Sequence, residues 1–336
     1  MPDGRHRLVD VAGGRIHLVE QGSGSLVLMI HGFPESWYSW RHQLPALAAA
    51  GFRAVAIDVR GYGRSSSPVE IEAYRMLAHV ADNVGVVRAL GERSATIVGH
   101  DWGSPIAVNS ALLRPDIFTA VALLSVPYTP RGSTRPTAAF ARVGGSGEFY
   151  LSYFQTPGRA EAEIEPDVRA WLAGIYKALS GETIRAAGGV GDLLTIRAGG
   201  RLSDRFPPTE PRPSWLTEAD LDYYADEFER TGLSGALNRY RNIDRDWEDL
   251  AAWDGKPIHQ PSLFIGGELD ASTTWAARAI NNHPQTLPGI SSSHIIEGGG
   301  HWIQQEHPDR VNRLVIDWLR SLPRGSTAER TETRSA

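Results

Sequence analysis

The 336-residue sequence contains no cysteine. That excludes disulfides, thiolate nucleophiles and cysteine-held zinc sites. No stretch approaches the length of a membrane-spanning helix. The first residues, Met1 to Arg7, show no apolar segment of the kind a secretory signal carries. An excess of one charge is also missing: 34 Lys and Arg stand against 39 Asp and Glu, a formal charge of −5. Mixed signs give no basic surface, so neither nucleic acid nor a membrane is an expected partner, and a neutral small molecule is. Gly-x-x-x-x-Gly-Lys-Ser/Thr and His-Glu-x-x-His are both absent, which removes phosphate-loop and zincin chemistry. The glycine clusters Gly61-Tyr62-Gly63 and Gly188-Gly189-Val190-Gly191 lack the strand and helix context of a dinucleotide site. What is left is the expectation of a cytoplasmic enzyme.

The chain is long enough to bury a large core, and its hydrophobic share of 41% is ordinary for a globular protein. Residues Leu8 to Val11 and Arg15 to Glu20 flank Gly13-Gly14 and predict a hairpin. Apolar runs at Leu26 to Ile30, Phe52 to Ile57, Ala95 to Val98 and Phe118 to Leu124 read as buried strands. Helical spacing falls between them, at Trp40 to Ala50, Ile71 to Leu90 and Ser104 to Leu113. This alternation predicts an α/β fold, a mostly parallel sheet covered by helices on both sides. It stops after Ser125-Val126-Pro127. From 128 to 247 the sequence is helix-like with no clear strand, and a Pro-rich connector, Phe206 to Pro213, suits a surface crossing. Alternation resumes with strands at Ser262 to Ile265 and Ser291 to Ile296 and a closing helix at Arg310 to Leu322. The expected organisation is a first core part (1–127), an inserted helical cap (128–247), a second core part (248–323) and a polar, disordered tail (324–336).

The segment Val98-Gly99-His100-Asp101-Trp102-Gly103 is a strand-to-helix elbow, G-x-nucleophile-x-G, with an acid where hydrolases commonly carry serine. A carboxylate is a weak acyl nucleophile, but it can displace a leaving group at saturated carbon and form an ester with the enzyme. Halide, epoxide oxygen and an unreactive turn residue all remain open at this point. Breaking such an ester needs a base and a group to orient it. Asp270 follows the strand ending in Leu263-Phe264-Ile265-Gly266-Gly267, and His301 follows Gly298-Gly299-Gly300, in the chain order nucleophile, acid, histidine. A lone Asp after a strand is more often a helix cap; the order and the three strand-end positions together favour catalysis. Glu268 competes with Asp270 and ranks second to it. Oxyanion donors are expected from the backbone N–H of Trp102, after the nucleophile, and of Phe33, in the loop His31-Gly32-Phe33-Pro34. His31 is expected to brace that loop with Gly32 and Pro34. Asp58 and Arg60 are expected to hold another loop.

Four motifs, His31-Gly32-Phe33-Pro34-Glu35-Ser36-Trp37-Tyr38-Ser39-Trp40-Arg41, Asp58-Val59-Arg60-Gly61-Tyr62-Gly63, His100-Asp101-Trp102-Gly103 and Gly300-His301-Trp302, together resemble the α/β-hydrolase-fold epoxide hydrolases of the bacterial soluble type. The resemblance runs from about Leu8 to Arg320. Each motif alone is shared with haloalkane dehalogenases, whereas the set is more specific. The resemblance implies an α/β-hydrolase core with a cap, no metal or cofactor, and a small, largely apolar epoxide opened to a vicinal diol. It also implies two cap tyrosines that donate to the epoxide oxygen. Phe149-Tyr150-Leu151-Ser152-Tyr153-Phe154 matches the first stretch with Tyr150, and Gly235-Ala236-Leu237-Asn238-Arg239-Tyr240-Arg241-Asn242 matches the second with Tyr240. An alkoxide leaves poorly unless protonated, and a phenol of pKa near 10 stays protonated at neutral pH yet can donate. Tyr153 is expected only to pack. Two departures stand out: Arg239, where the family often carries an aromatic, and Ile57, where a proline is frequent. Arg239 either alters the pocket wall or points to solvent. A homodimer is among the assemblies this reading allows. A haloalkane or haloacid dehalogenase is the alternative, although it would prefer an Asn at Phe33 or an arginine beside the nucleophile. A non-catalytic receptor on the same fold would be expected to have a broken triad.

Overall fold

Strand β3 (Leu26–Ile30) is buried at every residue, and β9 (Ser262–Gly267) likewise. β4 (Arg53–Ile57), β5 (Ala95–His100) and β6 (Phe118–Leu124) each expose or half-expose a single residue. A strand covered on both faces has no polar face to alternate with, which is why these segments read as unbroken apolar runs. The computed structural model that provides this picture describes residues 4–323, so the tail from 324 onward lies outside the described residues.

The sheet has eight strands. Its first two, β1 (Arg5–Val11) and β2 (Gly14–Gln21), form the predicted hairpin at one edge. The order across the sheet is β1-β2-β4-β3-β5-β6-β9, then β10 (Ile290–Ile296). From β4 to β10 every pairing is parallel. Alternate side chains of the same strands feed two cores. Val27, Met29, Ala120 and Ala122 pack under Trp37, Trp40, Leu44 and Trp318, while Leu28, Ile30, Val121 and Leu123 pack under Val84, Val87 and Ile106. Each such buried aliphatic side chain contributes about 1.5–3 kcal/mol relative to exposure. β10, at the edge, alternates between half-buried and exposed positions along most of its length, in keeping with its Ser-Ser-Ser-His sequence.

Between β6 and β9 the chain leaves the sheet and forms helices, the longest being Val168–Ala178 and Glu218–Thr231. The helical run extends through Leu250–Trp253. One feature differs from the strand-free expectation. β7 (Glu148–Phe149) pairs antiparallel with β8 (Thr195–Ile196). Two residues per strand are too few to show a period of two in sequence. The ribbon matters because the next residue is Tyr150, whose N–H donates to Leu194 O at 3.0 Å. The Glu218–Thr231 helix opens with a capping box between Thr217 and Asp220. Asp220 also accepts from Tyr38 Oη at 2.9 Å and lies 3.1 Å from Arg41 Nε, which ties this layer to the loop after β3. In the Pro-rich connector Pro207 to Pro211 are exposed, whereas Phe206 turns inward. Among the described residues no helix is long and apolar enough to cross a membrane.

Candidate active site

Six neighbouring strands, β4, β3, β5, β6, β9 and β10, run parallel and end on the same side of the sheet, so their loops converge there. Asp101 stands at the end of β5 with φ +50, a left-handed conformation that a non-glycine residue adopts only when its surroundings impose it. The close backbone passage behind it requires glycine: a Cβ on Gly103 would lie 2.0 Å from Ile30 O. In front, a Cβ on Gly32 would lie 2.2 Å from Asp101 Oδ1, so only glycine lets the carboxylate rest against that loop. Phe33 N–H donates to Asp101 Oδ1 at 2.8 Å. Trp102 occupies the N-cap of the helix Gly103–Leu113, where the backbone N–H is not needed by the helical ladder. His31 accepts from Val59 N–H at Nε2 (3.0 Å), so its proton sits on Nδ1 and is donated to Gly32 O (2.8 Å). Burial lowers its pKa, which suits a neutral bracing ring. Pro34 follows through a cis peptide, and its carbonyl accepts from Tyr176 Oη.

His301 faces Asp101 Oδ2 with Nε2 at 3.4 Å and Asp270 Oδ1 with Nδ1 at 3.1 Å. Burial by itself would lower its pKa, but the two carboxylates outweigh burial and hold it well above the ordinary histidine value. Asp270 is fully buried, and its carboxyl is held low by His301 against the opposing effect of burial. It also caps the helix Ala271–Trp275 through Ser272 N–H at 3.0 Å, so the capping bond and the contact with His301 coexist. Glu268 points away, accepting from Gly298 N–H at 2.9 Å with its side chain half exposed. The loop carrying His301 is fastened by Glu306, which accepts from Gly300 and Trp302 N–H and, across the layers, from Gly181 N–H.

Tyr150 and Tyr240 reach the same cavity from the helical layer, where Phe33, Asp101, Asp270 and His301 also form the wall and Leu202 and Phe206 add apolar surface. Burial first, and then the charge of Asp101, pushes both phenols above their ordinary pKa. Both therefore stay protonated over the neutral range. The Tyr240 ring meets Trp102 and Phe33 edge-on at 5.0 and 5.4 Å. Tyr153, by contrast, bonds to Glu163 and lies under Arg159. Arg239 does not point to solvent: it is buried, paired with Asp246, and its guanidinium carbon lies 4.7 Å from the Trp102 ring centre. Trp102 and Arg239 line a second cavity, with Val108, Leu123, Tyr128 and Trp247. Asp58 accepts from Trp37 and Arg64 N–H, and Arg60 pairs with Asp82, so both hold loops.

Sequence reasoning passed over His100. Its Nδ1 lies 2.8 Å from Glu35 Oε2 and its Nε2 2.7 Å from His301 O. Both neighbours only accept, so both ring nitrogens carry protons. Burial opposes that charge, but Glu35 outweighs it and raises the pKa of His100, while Glu35 itself is held down to about 2 by His100 against burial. The only signal was Glu35 itself, an acid within an otherwise buried motif, which needs a partner.

This sheet, with a strand-to-helix elbow after β5 and a histidine loop after β10 on the same side, is that of an α/β hydrolase, and the model of the α/β hydrolase fold family matches residues 25–308. Epoxide hydrolase B of Mycobacterium tuberculosis is 45% identical, over 94% of this chain and 98% of its own. The solved structure of an epoxide hydrolase from an endophytic Streptomyces is 71% identical, covers 95% of this chain and 96% of its own, and superposes with a TM-score of 0.93. Epoxide hydrolase A from Mycobacterium thermoresistibile is 42% identical, covers 96% and 100%, and gives 0.89. The chain belongs to the epoxide hydrolases of the α/β-hydrolase fold.

Proposed function

We infer that the protein adds water to an epoxide in two steps through an ester on Asp101. In the first, a carboxylate oxygen of Asp101 bonds to one epoxide carbon as the carbon–oxygen bond breaks. The departing oxygen takes a proton from Tyr150 or Tyr240 while the other phenol donates a hydrogen bond. In the second, Nε2 of His301, oriented by Asp270, takes a proton from water, whose oxygen bonds to the carboxyl carbon of Asp101. The N–H groups of Phe33 and Trp102 stabilise the oxyanion; loss of one such donor raises a barrier by roughly 3–4 kcal/mol. The intermediate collapses and the diol oxygen leaves with the proton from His301. The second water proton, left on the Asp101 carboxyl, restores the phenol.

The observation carrying this reading is the opposition within one cavity of a carboxylate nucleophile and two buried, protonated phenols. Halide release calls for N–H donors around an anion, whereas an alkoxide needs a proton. The inserted helices act as the cap that supplies those protons, and the apolar walls suit a small, largely apolar epoxide. Mass spectrometry of His301→Gln with an epoxide tests the route. A stable mass increase on the peptide containing Asp101 is expected, with diol formation by the wild type; turnover with no adduct in the variant sinks the covalent step. Halide release from haloalkanes without diol formation from epoxides would favour the dehalogenase alternative.

A further inference from the structure

Ser125 follows β6 in a left-handed backbone with φ +69, and the only other non-glycine residue with positive φ among the described residues is Asp101. Glycine adopts this conformation freely and a serine does so at a cost, so the side chain should have a use. Its backbone is already satisfied: the N–H donates to Ile265 O at 2.9 Å, and the carbonyl accepts from Thr273 Oγ1 at 3.0 Å. The hydroxyl is fully buried, 2.6 Å from Asp270 Oδ2 and 3.1 Å from His301 Nδ1. A hydroxyl carries one hydrogen, and an ionised carboxylate can only accept, so that hydrogen goes to Asp270. Towards His301 the oxygen then presents lone pairs alone, and Nδ1 must be the donor. Asp270 Oδ1, also 3.1 Å from Nδ1, makes the same demand. In the neutral ring the bare nitrogen is therefore Nε2, the one that faces Asp101.

We propose that Ser125 is a positioning residue for the hydrolytic half of the reaction, holding Asp270 in one rotamer and His301 in its Nδ1–H tautomer. Asp270 Oδ2 is bound by Ser125 and, at 3.2 Å, by Thr273 Oγ1, while Oδ1 is bound by Ser272 N–H and His301. Without Ser125 the carboxylate keeps Thr273 as its only hydroxyl donor and His301 loses one of its two acceptors. The inference rests on the proposed ester on Asp101. Attack on the epoxide uses neither the tautomer nor Asp270, so only release of the ester should suffer.

The test is single-turnover kinetics of Ser125→Gly and Ser125→Ala, with an epoxide that the wild type turns over. Glycine removes the hydroxyl and relieves the backbone; alanine removes the hydroxyl and retains the strain. Dealkylation is expected to slow at least about tenfold relative to alkylation in both variants, the scale of one hydrogen bond to a charged group. Ser125→Gly is expected to melt at or above the wild-type temperature. A smaller selective loss in a folded variant, or equal loss in both steps, overturns the assignment. If His301→Gln traps no adduct, it is the ester on Asp101 that fails, and the two failures are thereby told apart.

Discussion

Nε2 of His301 lies 3.4 Å from Oδ2 of Asp101, so the charge of the imidazole depends on that carboxylate. Two carboxylates outweigh burial to hold the imidazole proton, and esterification of Asp101 removes one of them. The base should therefore lose its proton more readily in the alkylated enzyme. The expected outcome is a dealkylation rate whose pH midpoint falls below the titration of His301 in the free protein, read by NMR. Asp101→Asn should lower that free titration; an unchanged value would refute the coupling. Because the folded pKa is raised, the attraction stabilises the fold fully below pH about 6.5 and is lost as pH rises through the folded value. Asp101→Asn should accordingly lose this contribution at acidic pH and differ least in alkaline buffer.

Tyr150→Phe and Tyr240→Phe should each slow alkylation by about 10²-fold, and the double variant by far more, with dealkylation little changed. Rapid-quench measurement of the alkyl-enzyme separates the two rates. A double variant that alkylates at the wild-type rate removes the phenols from the mechanism.

Arg239 and Asp246 form a buried pair in which Asp246 also accepts from Met76 N–H at 2.6 Å. Arg239→Ala leaves that carboxylate without its cation and should cost about 3–5 kcal/mol in urea unfolding. Removing both should cost less than removing the arginine alone. If the single and double variants unfold alike, the pair is not what stabilises this wall.

Glu306 has its carboxyl pushed up to about 7, by burial first, against three backbone N–H groups that pull it down. A raised carboxyl favours the protonated folded state, so its contribution to stability is greatest below pH about 4.5 and declines as pH rises to neutrality. Melting temperatures of wild type and Glu306→Gln should differ in slope across this window, by a span on the order of 3 kcal/mol. Parallel curves would show that Glu306 does not titrate there.

Local chemistry was the legible part. Strands such as β3 and β6 announce themselves because a residue covered on both faces must be apolar, and the elbow because its glycines are forced, Gly103 by Ile30 O and Gly99 by Gly103 O. Asp101, Asp270 and His301 were singled out by their positions after strands, and the structure brings their side chains together. The rest depends on distant juxtaposition. His100 meets Glu35 and the carbonyl of His301 across the fold, the left-handed turn of Ser125 leaves no pattern in composition, and β7 and β8 are too short for periodicity. Where Arg239 points was decided by Asp246 and Trp102, neither of which sequence spacing could bring to it in three dimensions.

Trp102 adjoins Asp101, with the edge of Tyr240 on its ring and the guanidinium of Arg239 beside it. An indole's emission follows the electric field across its ring, and the loss of one full charge on the neighbouring residue changes that field. The protein thus contains its own optical gauge. Formation and decay of the ester should be visible as opposite changes in fluorescence, without label or coupled assay, and Trp102→Phe should silence the signal.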